Sequence, residues 1–390
     1  MDGGERVYKK HNSFVGLHQT KAATVDSALN RLKSIFEKPD RYTGIDTSNH
    51  WILDRALSDI LDPPRKKTGP TLKLTPHVAG EILSYSDESV LPLYLVHRYR
   101  YEIFPQTKTL DDFPPYLQLE PSSVCNFRCV FCYQVDKSFS NKSNGHMGHM
   151  SIGLFRDAID QAEGNIEFLS LASRGEPTLN PDFDAIMAYT SGKFLNLKMN
   201  TNASLLTEER CHSILQGGVK TLVISADAAK EPLYSKLRVN GSLDKTIRNV
   251  ERFQNIRESQ YPMSEIITRV SGVKVSESQN LDEMDSFWGG LVDQVAFVSY
   301  NPSFGEKSAY YQDVNEVTSP CSDLWRRMYI WHDGLVNPCD VDYKSYLTVG
   351  NFPACDLSKL WKSKAYAYLR TSHEKHKRGD LTPCSGCVVV

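Results

Sequence analysis

The chain has 390 residues, more than a single hydrophobic core usually fills, so two or three structural units are expected. Hydrophobic residues make up 40 % and charged residues 24 %, with a formal charge of -2, a balance with no basic excess for nucleic acid and no acidic tail. The first twenty residues are polar and no stretch of about eighteen apolar residues occurs, so the sequence predicts a cytoplasmic protein without nucleic-acid or membrane partners.

Residues 1–114 carry no assignable motif. Within them, Val25, Ala28, Leu29, Leu32 and Phe36 are spaced for one face of an amphipathic helix over Ala22 to Phe36. Pro63-Pro64-Arg65-Lys66-Lys67 and Gly69-Pro70 punctuate a turn region. The stretch Leu91 to Phe104 is rich in aromatic and aliphatic residues and is expected to cover an edge of whatever follows.

From Tyr116 to Asn301 short strand-like runs alternate with helix-like ones. The strands are expected at Tyr116 to Glu120, Ile166 to Ser173, Leu195 to Asn202, Thr221 to Asp227, Glu265 to Val273 and Asp293 to Tyr300. Ser151 is placed to cap a helix through Ala162, and a second helix runs from Leu243 to about Ile256. Such alternation implies a parallel sheet, either a partial barrel or an open doubly wound sheet, with ligands at the carboxyl ends of the strands.

Directly after the first strand comes Cys125-Asn-Phe-Arg-Cys129-Val-Phe-Cys132-Tyr133. A four-iron cluster usually takes four cysteines, so three on one loop leave one iron open to another ligand. Zinc is the rival, with His146 and His149 as candidates for its fourth ligand. The intervening stretch Asn141 to Gly148 reads as a flexible loop over the same face. The other expected strand ends carry Ser173-Arg174-Gly175-Glu176-Pro177, Asn200-Thr201-Asn202, Ser225-Ala226-Asp227, and Arg269 with Ser271. Turn formers collect at strand ends for conformational reasons alone, yet the set together with the cysteines points to one site.

Of nine cysteines, three lie in 125–132 and five between 321 and 387, with Cys211 alone in a helix-like stretch as a buried small hydrophobe. In a reducing compartment such clusters are metal ligands rather than disulfides. Cys321, Cys339 and the Cys384-x-x-Cys387 pair can close a four-thiolate cage, which would suit a cluster or structural zinc. Cys355 is left over in a turn, a free surface thiol or an occasional fifth ligand. The basic run His373 to Arg378 reads as a solvated loop.

The three-cysteine loop with its following aromatic, and Gly175-Glu176-Pro177-Thr178-Leu179, resemble the signatures of the radical S-adenosylmethionine (SAM) superfamily. Arg174 departs from the pattern by standing where the first glycine of a glycine-glycine-glutamate-proline motif belongs; a cation there reaches a substrate anion or points away. The C-terminal cysteines, with Gly334, Gly350-Asn351-Phe352 and Leu360-Trp361, resemble the SPASM or twitch extension of that superfamily.

The resemblance implies an α/β fold: an N-terminal, largely helical extension (1–114), a partial six-stranded (β/α)6 barrel (115–302) and a small cysteine-rich SPASM/twitch domain (303–390). It implies a [4Fe-4S] cluster on Cys125, Cys129 and Cys132 whose fourth iron is chelated by SAM, and one auxiliary [4Fe-4S] cluster on Cys321, Cys339, Cys384 and Cys387. By position, Gly175 and Glu176 would meet the methionine amino group, Arg238 its carboxylate and Ser225 and Asp227 the ribose. Backbone around Tyr133 would meet the adenine, and Asn202 belongs to the same cofactor site. A flavodoxin- or ferredoxin-type protein would supply the electron.

A fully ligated auxiliary cluster has no open iron, but it can accept the electron left on a substrate radical, which favours net two-electron oxidation of a small hydroxylated or sugar-like molecule. Arg269, Tyr300 and Tyr310 are the candidates for taking the hydroxyl proton; an arginine stays charged, so its other role is to hold a carboxylate or phosphate. Modification of a peptide by epimerisation or crosslinking is the alternative within the superfamily, with Cys211 and Cys355 as possible hydrogen donors. A non-catalytic, metal-stabilised binding protein is the alternative outside it.

Overall fold

The computed structural model describes residues 22–63, 69–172, 174–300 and 308–390. The turn expected at 64–67, Ser173 and the boundary at 302/303 lie outside these. Four helices come first: α1 (Ala22–Phe36), α2 (His50–Leu61), α3 (Pro76–Ser84) and α4 (Leu91–Thr107). The expected helix α1 has the expected span, with Ala28, Leu32 and Ile35 buried and Phe36 left exposed. Thr75 caps α3 by accepting from Val78 N at 3.2 Å, and Pro76 supplies the fixed φ favoured in a first turn.

The strands β1 (Tyr116–Leu119), β3 (Phe168–Leu171), β4 (Asn196–Thr201), β5 (Val219–Ser225), β7 (Ile267–Lys274) and β8 (Gln294–Ser299) pair in parallel in that order. Between them run β2 (Arg128–Cys129), α5 (Lys137–Ser140), α6 (Ile152–Ala162), α7 (Phe183–Thr190), α8 (Glu208–Gln216), α9 (Leu233–Leu237), β6 (Arg238–Val239), α10 (Leu243–Gln260) and α11 (Leu281–Gly289). Because spatial order follows chain order without reversal, right-handed crossovers put every helix on the same face. That selects the partial barrel over the doubly wound sheet. Ser151 caps α6 as expected, accepting from Leu154 N at 3.2 Å, and Ser242 caps α10 through Lys245 N at 3.3 Å.

Each strand alternates between the helical layer and the lumen. Leu117, Leu119, Leu169, Leu171, Leu197, Met199, Leu222 and Ile224 join the core under the helices, while Gln118, Ser170, Lys198 and Arg269 belong to the other face. The N-terminal helices differ from expectation: α4 closes the amino-terminal mouth of the barrel rather than an edge. Its cluster includes Tyr116 and Phe168, the first residues of β1 and β3, and His97 stacks on Phe168 with centroids 3.6 Å apart.

The C-terminal segment extends the same sheet. Strand β9 (Arg327–Ile330) pairs in parallel with β1, and β10 (Leu335–Asn337) and β11 (Gly350–Asn351) continue antiparallel beyond it. Helices α12 (Leu357–Trp361) and α13 (Lys364–Glu374) follow, and Trp325, Met328, Ile330, Leu360 and Trp361 share one core with the barrel. The glycine landmarks have steric causes. Gly334 has φ +85° and a Cβ there would stand 2.2 Å from the Phe352 carbonyl, while one on Gly350 would stand 2.4 Å from Leu360 Cδ2. Among the described residues no helix is long and apolar enough to cross a membrane.

Candidate active site

The cysteine loop leaves the carboxyl end of β1 and is fixed from three sides. Strand β2 pairs antiparallel with β6, setting Cys129 opposite Arg238. Arg238 points Nη1 at Cys129 Sγ at 3.8 Å and its Nε lies 2.6 Å from Asp227 Oδ2, a close ion pair whose atoms are not aligned as a hydrogen bond. Asn202 donates to Asn126 Oδ1 at 2.9 Å and reaches Cys125 Sγ at 4.0 Å, and Phe127 N donates to the same sulfur at 3.4 Å. Cys132 N closes a turn onto the Cys129 carbonyl at 3.0 Å.

Burial pushes the Cys125 thiol up to about 12, with the nearby Glu176 charge adding to it, and raises Cys129 and Cys132 as well. Three thiols that resist ionising in their surroundings become thiolates when a strongly positive group binds them, and nearby donors to sulfur help in that state. Among the described residues no three His, Cys, Asp or Glu side chains converge on one point as ligands of a single ion would. Zinc–sulfur bonds of about 2.3 Å require thiolates packed far more tightly than the separate corners of a cluster. Three thiols on one loop, two of them met by polar hydrogens of Arg238, Asn202 and Phe127, are a donor set that fits a cluster; His146 stacks on Phe139 and His149 is bridged to Ser122.

The second strand end is built inward. A Cβ on Gly175 would stand 2.4 Å from the Ser122 carbonyl, so only glycine lets this turn lie against the cysteine loop. The Glu176 carboxylate is 2 % exposed and accepts from Thr178 N (3.2 Å), Thr178 Oγ1 (2.6 Å), Thr201 Oγ1 (2.7 Å) and Asn202 N (2.7 Å). Its side chain ties β3 to β4 rather than facing a ligand. Asp227 is likewise turned away from the ribose role: fully buried, it holds Arg238 and accepts from Val273 N at 2.6 Å. Arg238, expected at a methionine carboxylate, is engaged by that same carboxylate. Ser225 stands half-buried at the end of β5, and Tyr300 lies just past β8, its N–H on the Lys274 carbonyl at 3.1 Å.

Arg174 points away from the loop's open side. It is buried, donates to Glu120 at 2.6 and 2.5 Å and to the Tyr343 carbonyl at 2.8 Å, and lies 4.3 Å from the Trp331 ring centre. It thus pins the barrel to the C-terminal segment. Burial works to raise the Glu120 carboxyl, but the charge and hydrogen bonds of Arg174, with His332, outweigh it and hold it down to about 2.

Arg269 is a correction. Strand β7 begins two residues later than expected, so Arg269 is its third residue, held by Gln294 Oε1 at 2.8 and 2.5 Å. It lines a cavity with His77, Glu81, Asn196 and Lys220 at the strand starts, the opposite end from the cysteines. Its guanidinium therefore stands with the strand starts rather than with the cysteine loop at the strand ends.

The four C-terminal cysteines are drawn together by contacts the sequence hid. Cys339 and Cys384 feel each other's charge and that of Cys321, Cys387 joins them in the electrostatics of Cys384, and burial raises Cys321 to about 11. Arg378, expected in a solvated loop, is 2 % exposed and donates to the carbonyls of Ser319 (3.0 Å), Val389 (3.0 Å), Cys384 (3.3 Å) and Cys387 (2.7 Å). His373 Nδ1 accepts from Cys321 N at 3.1 Å. Cys355 is a free thiol, half-buried and packed against the main core. Cys211 is buried in α8, as expected.

Between the two cysteine groups lies a block of rings. Tyr133 stacks on Tyr343 at 4.9 Å, Tyr310 meets Tyr343 edge-on at 5.0 Å, and Cys132 packs against this cluster. Tyr310 donates to Asp342, whose carboxyl burial raises to about 6, and Tyr343 donates to Asp136 at 2.8 Å. The segment 137–144 forms short helical turns that wall this block, with Phe139 fully buried.

Comparison with known families decides what kind of protein this is: residues 119–262 match the radical SAM superfamily and residues 321–388 match SPASM, an iron-sulfur cluster-binding domain. The chain belongs to the radical SAM superfamily and carries a SPASM domain. The cofactors of those domains are a SAM-bound [4Fe-4S] cluster and auxiliary iron-sulfur cluster chemistry.

The chain is 27 % identical over 176 residues to mycofactocin maturase MftC of Mycolicibacterium smegmatis, covering 45 % of this chain and 41 % of that protein. It is 26 % identical over 220 residues to GTP 3',8-cyclase of Clostridium botulinum, covering 54 % and 64 %. It therefore spans well under two thirds of the maturase. Streptococcus suis SuiB bound to its precursor peptide SuiA shares the fold at TM-score 0.52 and 16 % identity, over 89 % of this chain and 83 % of that one.

Proposed function

We propose that Cys125, Cys129 and Cys132 hold the SAM-bound cluster, that Cys321, Cys339, Cys384 and Cys387 hold a single auxiliary [4Fe-4S] cluster, and that the enzyme oxidises its substrate by two electrons. The proposed division is an N-terminal extension (1–114), a radical SAM core (115–302) and an auxiliary cluster domain (303–390). When bound, the first cluster supplies the electron that splits SAM into methionine and a 5'-deoxyadenosyl radical.

The observation that carries the oxidative reading is the ring block between the two cysteine groups, with Cys132 against one side of it and Tyr310 bonded to Asp342, three residues from Cys339. It excludes water between the sites and gives a compact, packed path for an electron. The chain's other residues orient. Asn202 and Arg238 direct polar hydrogens at the loop's sulfurs, Glu176 and Gly175 lock the second strand end against that loop, and Ser225 remains the open polar group at the end of β5. Tyr300 is the group proposed to face the substrate from β8. Backbone around Tyr133 is proposed at the adenine.

A small hydroxylated molecule is the substrate class of the first reading. Peptide modification is the second, favoured by the likeness to a mycofactocin maturase and to a fold solved with a precursor peptide bound. The electron donor in either reading is a flavodoxin- or ferredoxin-type protein, and the setting is cytoplasmic.

The two readings separate in one experiment. Reconstituted enzyme with SAM and dithionite is given a cell extract, untreated or digested with protease, and 5'-deoxyadenosine is followed. Stimulation that survives digestion supports the small molecule; stimulation destroyed by it supports the peptide. If Cys339→Ser leaves substrate oxidation intact, the electron-accepting role of the auxiliary site is wrong.

A further inference from the structure

Helix α13 buries Tyr366, Leu369, Arg370 and His373, the i, i+3, i+4, i+7 spacing of a helix face laid on a core. The first residue of the basic run is therefore inside the protein: His373 is 1 % exposed. An apolar side chain would fill that position without taking polar atoms out of water, so the imidazole calls for an account of both its nitrogens.

One nitrogen is explained. His373 Nδ1 accepts from Cys321 N at 3.1 Å, which means that Nδ1 carries no proton and the ring's proton sits on Nε2. The other nitrogen is not. Nε2 is buried and has no hydrogen-bond partner among the described residues. A buried donor left unmade is costly and is found where something else completes it.

The surroundings narrow what that is. The ring is fastened to the backbone of one of the four C-terminal cysteines, which keeps Nε2 within one ring's width of that bond. Peptide oxygens of the same site have a donor of their own, because Arg378 serves the carbonyls of Ser319, Cys384, Cys387 and Val389. Polar hydrogens already meet sulfur here, as Val389 N meets Cys387 Sγ at 3.4 Å. A cluster on these cysteines brings acceptors that are all sulfur.

Given the proposed cluster on Cys321, Cys339, Cys384 and Cys387, on which this role rests, we propose that His373 is a positioning residue for it: Nε2–H donates to a cluster sulfur and raises the cluster's reduction potential. Four thiolates already make the group anionic, and one added electron makes it more so. A donor hydrogen bond favours the more negative state, and the buried Arg378 cation acts in the same direction. The site then takes an electron from a substrate radical more readily.

The test uses the full chain carrying Cys125→Ala, so that the auxiliary cluster is the one titrated, reconstituted with iron and sulfide and followed by EPR at set potentials. His373→Asn keeps an oxygen where Nδ1 accepts from Cys321 N but does not reach the place of Nε2. It should lower the equilibrium constant for reduction about tenfold, a fall of about 59 mV for one electron. His373→Gln puts an amide N–H near the place of Nε2 and should recover most of the native midpoint. A midpoint unchanged in His373→Asn, or lowered equally in both variants, overturns the proposal and leaves His373 a clamp on the Cys321 backbone.

A second measurement needs no substitution at this position. With isotope-labelled histidine, pulsed EPR of the reduced auxiliary cluster should show a weak nitrogen coupling that His373→Gln abolishes; no coupling overturns the proposal. Metal content separates this failure from that of the cluster assignment. About four irons per chain with no midpoint shift defeat the role of His373 alone, whereas zinc in place of iron defeats the cluster itself.

Discussion

Glu120 and Arg174 form a buried pair that few single changes could leave half-made without penalty. Arg174→Met removes the only guanidinium from the Glu120 carboxylate, leaving it the backbone N–H of residue 174 at 3.2 Å and His332, and should cost about 3–5 kcal/mol in denaturant unfolding. The same pair sets an acid limit. The folded Glu120 value of about 2 lies below its unfolded value of about 4.3, so its contribution is complete above the latter and is lost as pH falls toward the former. Unfolding followed from pH 5 to pH 2 should show a loss for the native chain that is smaller in Glu120→Gln. Equal slopes would remove the assignment. The sequence placed Arg174 at the odd position of its motif but not its partner, because Glu120 is 54 residues away and the pairing depends on a turn that only Gly175 allows. Arg269 failed for a smaller reason: it stands in the middle of the run expected at Glu265 to Val273, and a start two residues later leaves it near the beginning of β7 rather than near its end.

Secondary elements were the legible level. Alternation of apolar and polar residues gave all six barrel strands, and Ser151 and the spacing after Leu243 gave the helices between them. Strand β9 was not legible, because the four residues Arg327–Ile330 carry no pattern that says they will join β1 across more than two hundred residues of chain. The glycine landmarks were visible but their reason was not. Gly334→Ala combines a positive φ with a Cβ 2.2 Å from a backbone carbonyl, which cannot yield as a side chain would. It should destabilise by about 1–3 kcal/mol or more, read by chemical denaturation. Arg378→Ala removes the donor shared by four carbonyls around the Cys384–Cys387 turn. Iron after reconstitution should then fall from about eight to about four per chain, while SAM cleavage persists. Unchanged iron would reduce Arg378 to a structural clamp alone.

At the scale of the whole molecule, one sheet carries both cysteine groups. The SPASM segment is not an appendage: β9 completes the sheet beside β1, and the two share a core that includes Trp325 and Trp361. The shared sheet fixes the two groups relative to each other, with the ring block of Tyr133, Tyr343 and Tyr310 between, and the N-terminal helices close the opposite mouth. The most direct measurement is anaerobic reconstitution with iron and sulfide, counting iron and zinc per chain and following 5'-deoxyadenosine after SAM and dithionite. About eight irons with 5'-deoxyadenosine formed are expected, and in Cys125→Ala about four irons with none formed. Zinc filling both cysteine groups, with no 5'-deoxyadenosine from the native chain, would contradict this expectation.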